Sequence, residues 1–342
     1  MTRRSLGPGL REGNRFLAQT PSQGRPRNAL ASARRATSHP FMNQTLQLAF
    51  IGLGVMGGPM TGHLARAGHR VTAYNRSRER AARWRAAWAD EGLAVAFAET
   101  PAEAARGADV AFTCVGNDAD LAAVTLGEDG VLAGLGEGAL LVDHTTTSAA
   151  MARELAAECA GRGLGFVDAP VSGGQAGAEN GSLAVMCGGS DDDVARARPV
   201  MESYGKAIVH VGPAGAGQTA KMANQMCIAG VLAGLSEAVR LAEAAGLDLE
   251  KTYEAISGGA AQSWQMDNRW QTMCEGRFDF GFAIDWMRKD LGYALDEAKR
   301  LGLAAPVTAL VDQFYADVQA AGGNRYDTSA LITRLPKGNP TR

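Results

Sequence analysis

At 342 residues the chain is longer than a single hydrophobic core usually grows, so two domains are the starting expectation. Hydrophobic residues at 46% and charged residues at 20% describe an ordinary globular composition, which excludes a fibrous or wholly disordered chain. Lys+Arg 34 against Asp+Glu 36 leaves a formal net charge of -2, so no field of one sign exists to gather nucleic acid or an acidic membrane, and neither is expected as a partner.

Residues 1–45 stand apart. They are rich in arginine, carry Glu12 as their single acid and show no apolar periodicity, which predicts a disordered basic extension. Three readings compete: a mitochondrial transit peptide, a basic arm that touches nucleic acid, or translation upstream of a start at Met42. Met42 lies just before the first strand, which favours the third. A cytoplasmic location follows, with the mitochondrial matrix as the alternative, and no apolar secretory segment is present.

From Leu46 the pattern becomes regular. LAFIGLG is a short apolar run closed by glycines, followed by a helical pattern over Met56 to Ala67 and a second strand in HRVTAYN. LAVAF, the helix signals of TPAEAARGA, the strand VAFTCVG from Val110 to Gly116 and LLVD from Leu140 to Asp143 continue the alternation. A helix over Met151 to Arg162, the strands GFVDAP and LAVMCGG, a helix around Asp191 to Tyr204 and the strand AIVHVG complete it. Strands alternating with helices predict βαβ units, hence a Rossmann-type doubly wound α/β domain over 46–212 with a mainly parallel sheet.

Strand signals then cease. AGQTAKMANQMCIAGVLAGLSEAVRLAEAAG reads as one long helix, small and apolar on all sides, stopping at Gly246. Its uncharged core between Lys221 and Glu237 is short of a membrane span, so a helix buried on several sides and joining two domains is expected. It opens an all-helical domain over 213–332 that continues through LEKTYEAI, the Trp264 region, AIDWMRKDLGYALDEAKRLG and PVTALVDQFYADVQAAG, leaving 333–342 as a tail. Faces shared between copies predict a homodimer or homotetramer. The cysteines, Cys114, Cys159, Cys187, Cys227 and Cys274, are scattered without a CxxC pair or clustered histidines, so a reducing compartment and no metal site are expected.

Gly52-Leu53-Gly54-Val55-Met56-Gly57 fits G-x-G-x-x-G between a strand and a helix, the setting in which that pattern binds a dinucleotide pyrophosphate. At the end of the second strand, where an acid would hold an NAD ribose, stand Asn75-Arg76-Ser77. No carboxylate repels a 2′-phosphate there and Arg76 can pair with one, so NADP(H) is preferred and NAD(H) remains possible. Val115, next to last in VAFTCVG, joins the cofactor-binding set.

A nicotinamide supplies hydride, so the protein must supply orientation and a proton relay. His144 is one candidate, with a packed or solvated side chain as the alternative. Lys221 is the other: near the start of the apolar helix and one turn before Asn224 and Gln225, it has a pKa that burial would pull into a useful range. A surface lysine at a helix end is the competing reading.

Four ordered stretches, GLGVMG, DAPVSGGQAGAENGSLAVMCGG, GAGQTAKMANQ and FAIDWMRKDL, together resemble the signatures of the β-hydroxyacid dehydrogenases over about residues 46 to 332. The resemblance implies that Ser172, Gly173 and Gly174 hold a substrate carboxylate, that Lys221 is the catalytic acid/base, and that Asn224 or Gln225 binds substrate. It also implies Thr146 beside the nicotinamide, Lys289 and Asp290 near the cofactor, and Phe282 as a wall, with Trp264 a candidate lid. The second amide departs from the usual Asn-Asn pair, His144 and Thr145 are less typical, and Ala150 stands where proline is common. The expected reaction interconverts a small β-hydroxy acid and its semialdehyde. An imine-reductase-like enzyme and a non-catalytic NADP-binding module are the alternatives.

Overall fold

The computed structural model describes residues 44–337, so residues 1–43, with the basic extension and Met42, and residues 338–342 of the tail lie outside the described residues. Among the described residues nine strands form one sheet: β1 (Gln47–Ile51), β2 (Arg70–Tyr74), β3 (Val95–Phe97), β4 (Val110–Thr113), β5 (Leu140–Asp143), β6 (Gly165–Asp168), β7 (Val171–Ser172), β8 (Leu183–Gly189) and β9 (Gly205–Gly212). The order β3-β2-β1-β4-β5-β6 is parallel throughout and reverses direction beside β1, which opens the crevice between the ends of β1 and β4 where a doubly wound fold takes its nucleotide.

Both faces of these strands are covered, as parallel sheets require. Leu48, Phe50, Val110, Phe112, Leu140 and Val142 enter one core, while the alternate residues Ala49, Ile51, Ala111 and Leu141 enter the other. Five helices of this domain begin at side-chain caps: Ser77, Thr100, Asn117, Ser148 and Ser190 each accept a backbone N–H of the first turn.

The strand expected to reach Gly116 stops at Thr113, because Val115 N–H turns out of the sheet to donate to Thr145 Oγ1 at 3.1 Å. Beyond β6 the sheet is no longer parallel. Val167 pairs with Gly189, Asp168 with Gly188, Val171 with Val185 and Ser172 with Ala184, one continuous antiparallel register. β6 and β7 are thus one strand broken at Ala169–Pro170, where proline has no N–H to contribute but its carbonyl still accepts from Met186 N–H at 3.1 Å. β9 then pairs parallel to β8.

The second domain is all helical. The helix Ala216–Ala244 leads into it from the sheet and ends where Gly246 adopts φ +68°. Helices Leu249–Ser257, Trp264–Glu275, Ile284–Arg300 and Pro306–Ala320 follow, with a 3₁₀ turn over Thr328–Arg334. Leu232, Leu235, Val239, Trp270, Met287, Leu291 and Tyr315 form its core. Burial of the long helix is one-sided rather than all round: Lys221, Gln225, Ala229, Leu232 and Val239 are buried, while Val231 and Leu241 are exposed. By length and composition it is the one described helix long and apolar enough to cross a membrane.

Candidate active site

The glycine turn is shaped for close approach. A side chain on Gly52 would strike the carbonyl of Cys114 and one on Gly57 the carbonyl of Gly52, whereas Gly54 has nothing within 4 Å of its Cβ position. Strand, turn and helix therefore pack tightly while the second glycine faces open space, the side from which a pyrophosphate reaches the backbone. Leu53 is pinned at both ends, its N–H donating to Asn75 Oδ1 at 2.9 Å and its carbonyl accepting from Trp84 Nε1 at 3.0 Å. These residues fit a dinucleotide.

Asn75 is thus used to brace the turn, and its Nδ2 donates to Ser77 O at 2.9 Å. Ser77 Oγ caps the helix Arg78–Asp90 by accepting from Arg80 N–H. Arg76 is 83% exposed in its side chain and touches Asp120 at 2.9 Å, a surface pairing that a stronger anion can displace.

Two loops leave the neighbouring strands toward the crevice. Asp143, fully buried at the end of β5, accepts from Thr113 Oγ1 at 2.7 Å and Thr145 N–H at 3.0 Å, and burial pushes its carboxyl up to about 6. Thr145 and Thr147 are buried, leaving Thr146 half-exposed between them. His144 turns the other way. Its Nδ1–H donates to Ala169 O at 2.6 Å, its Nε2 accepts from Tyr204 O–H at 2.8 Å, and its ring stacks on Phe112. Burial drives its pKa down to about 4, so it is a neutral core residue and the packed alternative holds.

Asp168 fixes the start of the long helix. Its two oxygens accept from Gly215 N–H at 2.7 Å and Gln218 N–H at 2.8 Å, a buried acid set against a helix N-terminus, with burial raising its pKa to about 7. Gln218, one turn before Lys221, accepts from Thr147 N–H at 3.0 Å and donates to Thr145 O at 2.7 Å, which locks the helix to the threonine loop.

Lys221 is only 6% exposed, and its Nζ donates to Val171 O at 2.8 Å, immediately before Ser172-Gly173-Gly174. Burial lowers its pKa to about 8, with the Asp290 carboxylate resisting the fall and the Lys289 charge adding to it. Gly173 and Gly174 take φ +132° and +62°, and a Cβ on Gly174 would meet nothing within 4 Å. The short helix Gly174–Glu179 that follows is tied back to the nucleotide helix Gly57–Arg66, where His63 Nε2 lies 3.0 Å from the carbonyls of both Ala178 and Glu179.

Asn224 Nδ2 donates to Gln225 Oε1 at 2.8 Å, and the buried Gln225 donates to Asp290 Oδ2 at 2.6 Å. Lys289 reaches Gly116 O and Thr146 O on the first domain. Phe282 is 36% exposed and held by Asp327, whose Oδ2 accepts its N–H at 3.0 Å. Trp264 is exposed with Arg269 over its ring, and among the described residues no hydrogen bond or ring contact ties it to Lys221. Two surface grooves of about 390 and 340 Å³, lined mainly by apolar side chains around Ala298–Ala309 and Arg85–Phe97, hold none of these groups.

Residues 47–212 match the family model described as the NAD binding domain of 6-phosphogluconate dehydrogenase, and residues 215–335 that described as the NAD-binding domain of NADP-dependent 3-hydroxyisobutyrate dehydrogenase. An uncharacterised oxidoreductase of Shewanella frigidimarina is 57% identical over 85% of this chain and 98% of its own length. The chain belongs to the 3-hydroxyisobutyrate dehydrogenase family. This is a family of NAD(P)-dependent β-hydroxyacid dehydrogenases. Within it, the 2-hydroxy-3-oxopropionate reductase of Escherichia coli is 35% identical over 85% of this chain and 97% of that one. The Mycobacterium tuberculosis 3-hydroxyisobutyrate dehydrogenase, solved with L-serine, superposes with a TM-score of 0.77 at 34% identity, covering 85% of this chain and 99% of that one.

The family signatures draw attention to motifs and miss their supports. Asp143, Asp168, Gln218, Trp84 and Tyr293, whose hydroxyl accepts from Asp118 N–H at 3.2 Å, all hold site elements, yet none stood out in the sequence. Asp168 and Gln218 do lie inside stretches already singled out, DAP and GAGQTAK; a buried acid between two apolar runs was the available signal.

Proposed function

We propose that this chain is an NADP(H)-dependent oxidoreductase that interconverts a small β-hydroxy acid and its semialdehyde, with Lys221 as general acid/base. The observation that carries the reading is the meeting of a buried amine with the glycine turn: Lys221 Nζ sits on Val171 O, one residue before Ser172-Gly173-Gly174. A bound nicotinamide supplies or accepts the hydride. The chain's task is to hold the substrate carboxylate against the main-chain amides of Ser172–Gly174 and to present its oxygen to Lys221. An ammonium tuned to about 8 gives a proton to the developing alkoxide in reduction and takes the hydroxyl proton in oxidation. The Asn224–Gln225 amides stand one turn further along the same helix, and Thr146, Val115 and Phe282 complete the proposed surroundings.

NADP(H) over NAD(H) is supported by Arg76, whose exposed guanidinium is free to exchange Asp120 for a 2′-phosphate. The description of the matching helical family as NADP-dependent agrees with that choice. A substrate panel tests the proposal: methylmalonate, tartronate and succinic semialdehydes, glyoxylate, and 3-hydroxyisobutyrate in the oxidative direction, each with both cofactors. NADPH oxidation by at least one semialdehyde is expected. Turnover of a cyclic imine with none of these would instead identify an imine reductase, and tight NADPH binding without any turnover a binding module.

A further inference from the structure

We infer that Trp84 is a positioning residue for the dinucleotide turn: by holding the carbonyl of Leu53 it keeps the Leu53–Gly54 peptide in the orientation that offers Gly54 N–H to a phosphate. The inference rests on the dinucleotide-binding assignment of the first domain.

The turn Gly52–Gly57 is held through two successive peptide planes, each by a different side chain. Leu53 N–H, in the Gly52–Leu53 peptide, donates to Asn75 Oδ1 at 2.9 Å, and Leu53 O, in the next peptide, accepts from Trp84 Nε1 at 3.0 Å. Carbonyl and N–H of a trans peptide point in opposite directions, so a carbonyl drawn toward Trp84 turns Gly54 N–H away from it. That N–H makes no hydrogen bond among the described residues, and a Cβ on Gly54 would meet nothing within 4 Å. Turning this plane over changes ψ of Leu53 and φ of Gly54, and glycine has no side chain to resist the second rotation. A flipped plane would aim an oxygen at the pyrophosphate in place of an N–H. The indole bond opposes that flip.

Trp84 holds its donor in place because its ring is seated. Gly58 and Gly62 stand one turn apart on the helix Gly57–Arg66, and Trp84 and Trp88 stand one turn apart on the helix Arg78–Asp90. A Cβ on Gly58 would collide with the Trp84 ring, and one on Gly62 would lie 3.1 Å from Trp88 Nε1. The two indoles stack with ring centres 5.5 Å apart, and the buried Trp88 lies 5.8 Å from Phe97 on β3. Two glycines on one helix thus admit two indoles from the next. Another apolar residue at position 84 would fill the seat without bringing a donor to Leu53 O.

NADPH and NADH titrations of the full-length protein, with the melting temperature of each variant, test this. Trp84→benzothienylalanine keeps the size and shape of the indole but has sulfur in place of the N–H. It is expected to weaken both cofactors by the same factor, about fivefold, as when about a fifth of the molecules keep the binding orientation. Its melting temperature should fall by no more than about 3 °C, the loss of one hydrogen bond. Trp84→5-fluorotryptophan keeps the N–H and is expected to bind both cofactors as the wild type does. Wild-type affinity in the benzothienylalanine protein overturns the inference, and so does an equal loss in the 5-fluorotryptophan protein. If the benzothienylalanine protein does not fold, wild-type affinity in Trp84→Phe overturns it instead. A wild type that binds neither cofactor overturns the dinucleotide assignment and this inference with it. No substrate enters the experiment, so the β-hydroxy acid proposal is tested separately by its substrate panel.

Discussion

A histidine ring enclosed by Phe112, Tyr204 and the carbonyl of Ala169 has no water to receive the charge of a second proton. His144 accordingly stays neutral down to about pH 4, against 6.5 for a free imidazole. Between those values the unfolded chain binds more protons than the folded one, so the contribution of this residue to stability is complete above 6.5 and fades as pH falls. Replacing it by Gln removes that dependence. The melting-temperature gap between wild type and His144→Gln is expected to be widest near pH 7.5 and to shrink by pH 5, an energy of a few kcal/mol at most. Asp143 and Asp168, with raised pKa values, act in the opposite sense but are present in both proteins and cancel in the difference. A gap independent of pH would show that the ring is not buried neutral.

The start of the long helix shows how closely the elements are fitted. A Cβ at Gly217 would lie 2.6 Å from Asp168 O and 2.8 Å from its Oδ2, so even alanine must push the helix off β6 and β8. Gly217→Ala is expected to cost about 1–3 kcal/mol and to lower the melting temperature by several degrees. Gly292, inside the helix Ile284–Arg300, has nothing within 4 Å, and Gly292→Ala should stabilise by about 0.5–1 kcal/mol. Equal effects from the two would mean that the packing at Gly217 is looser than described.

The parallel strands were legible because runs such as LAFIG and LLVD end in glycine or a polar residue and alternate with helix caps. The antiparallel return of β8 was not, since strand direction depends on a pairing partner rather than on the strand's own residues. The helices Asp118–Leu126, Val131–Gly134 and Gly174–Glu179 also went unread, the last because glycine and alanine signal a turn before they signal a helix. At the site, the glycine turn, Lys221 and the Ser172–Gly174 loop stood out by motif. Asp168 and Gln218 did not: an acid between apolar runs hints at burial, but which backbone groups a buried polar residue holds is set by tertiary contacts that the sequence does not display.

At the scale of the whole chain, apolar surface remains uncovered. Val231 and Leu241 on the long helix, and Leu301, Leu303, Val307 and Leu310 at the far end of the helical domain, are all exposed. The homodimer or homotetramer expected from sequence would cover such faces. Light scattering at micromolar concentration is expected to give a mass two or four times the 35.7 kDa of the chain. A monomer, with these side chains left in water, would contradict the proposal.

The central claim is that Lys221 carries the proton, and the pH dependence of NADPH-dependent semialdehyde reduction tests it most directly. Reduction needs the amine protonated, so kcat/KM should fall above about pH 8, whereas oxidation of the hydroxy acid should fall below it. Lys221→Ala should bind NADPH with near wild-type affinity, turn over about 10²–10⁴-fold more slowly and lose that limb of the profile. Near-normal turnover by Lys221→Ala, or an unchanged limb near pH 8, would contradict the account.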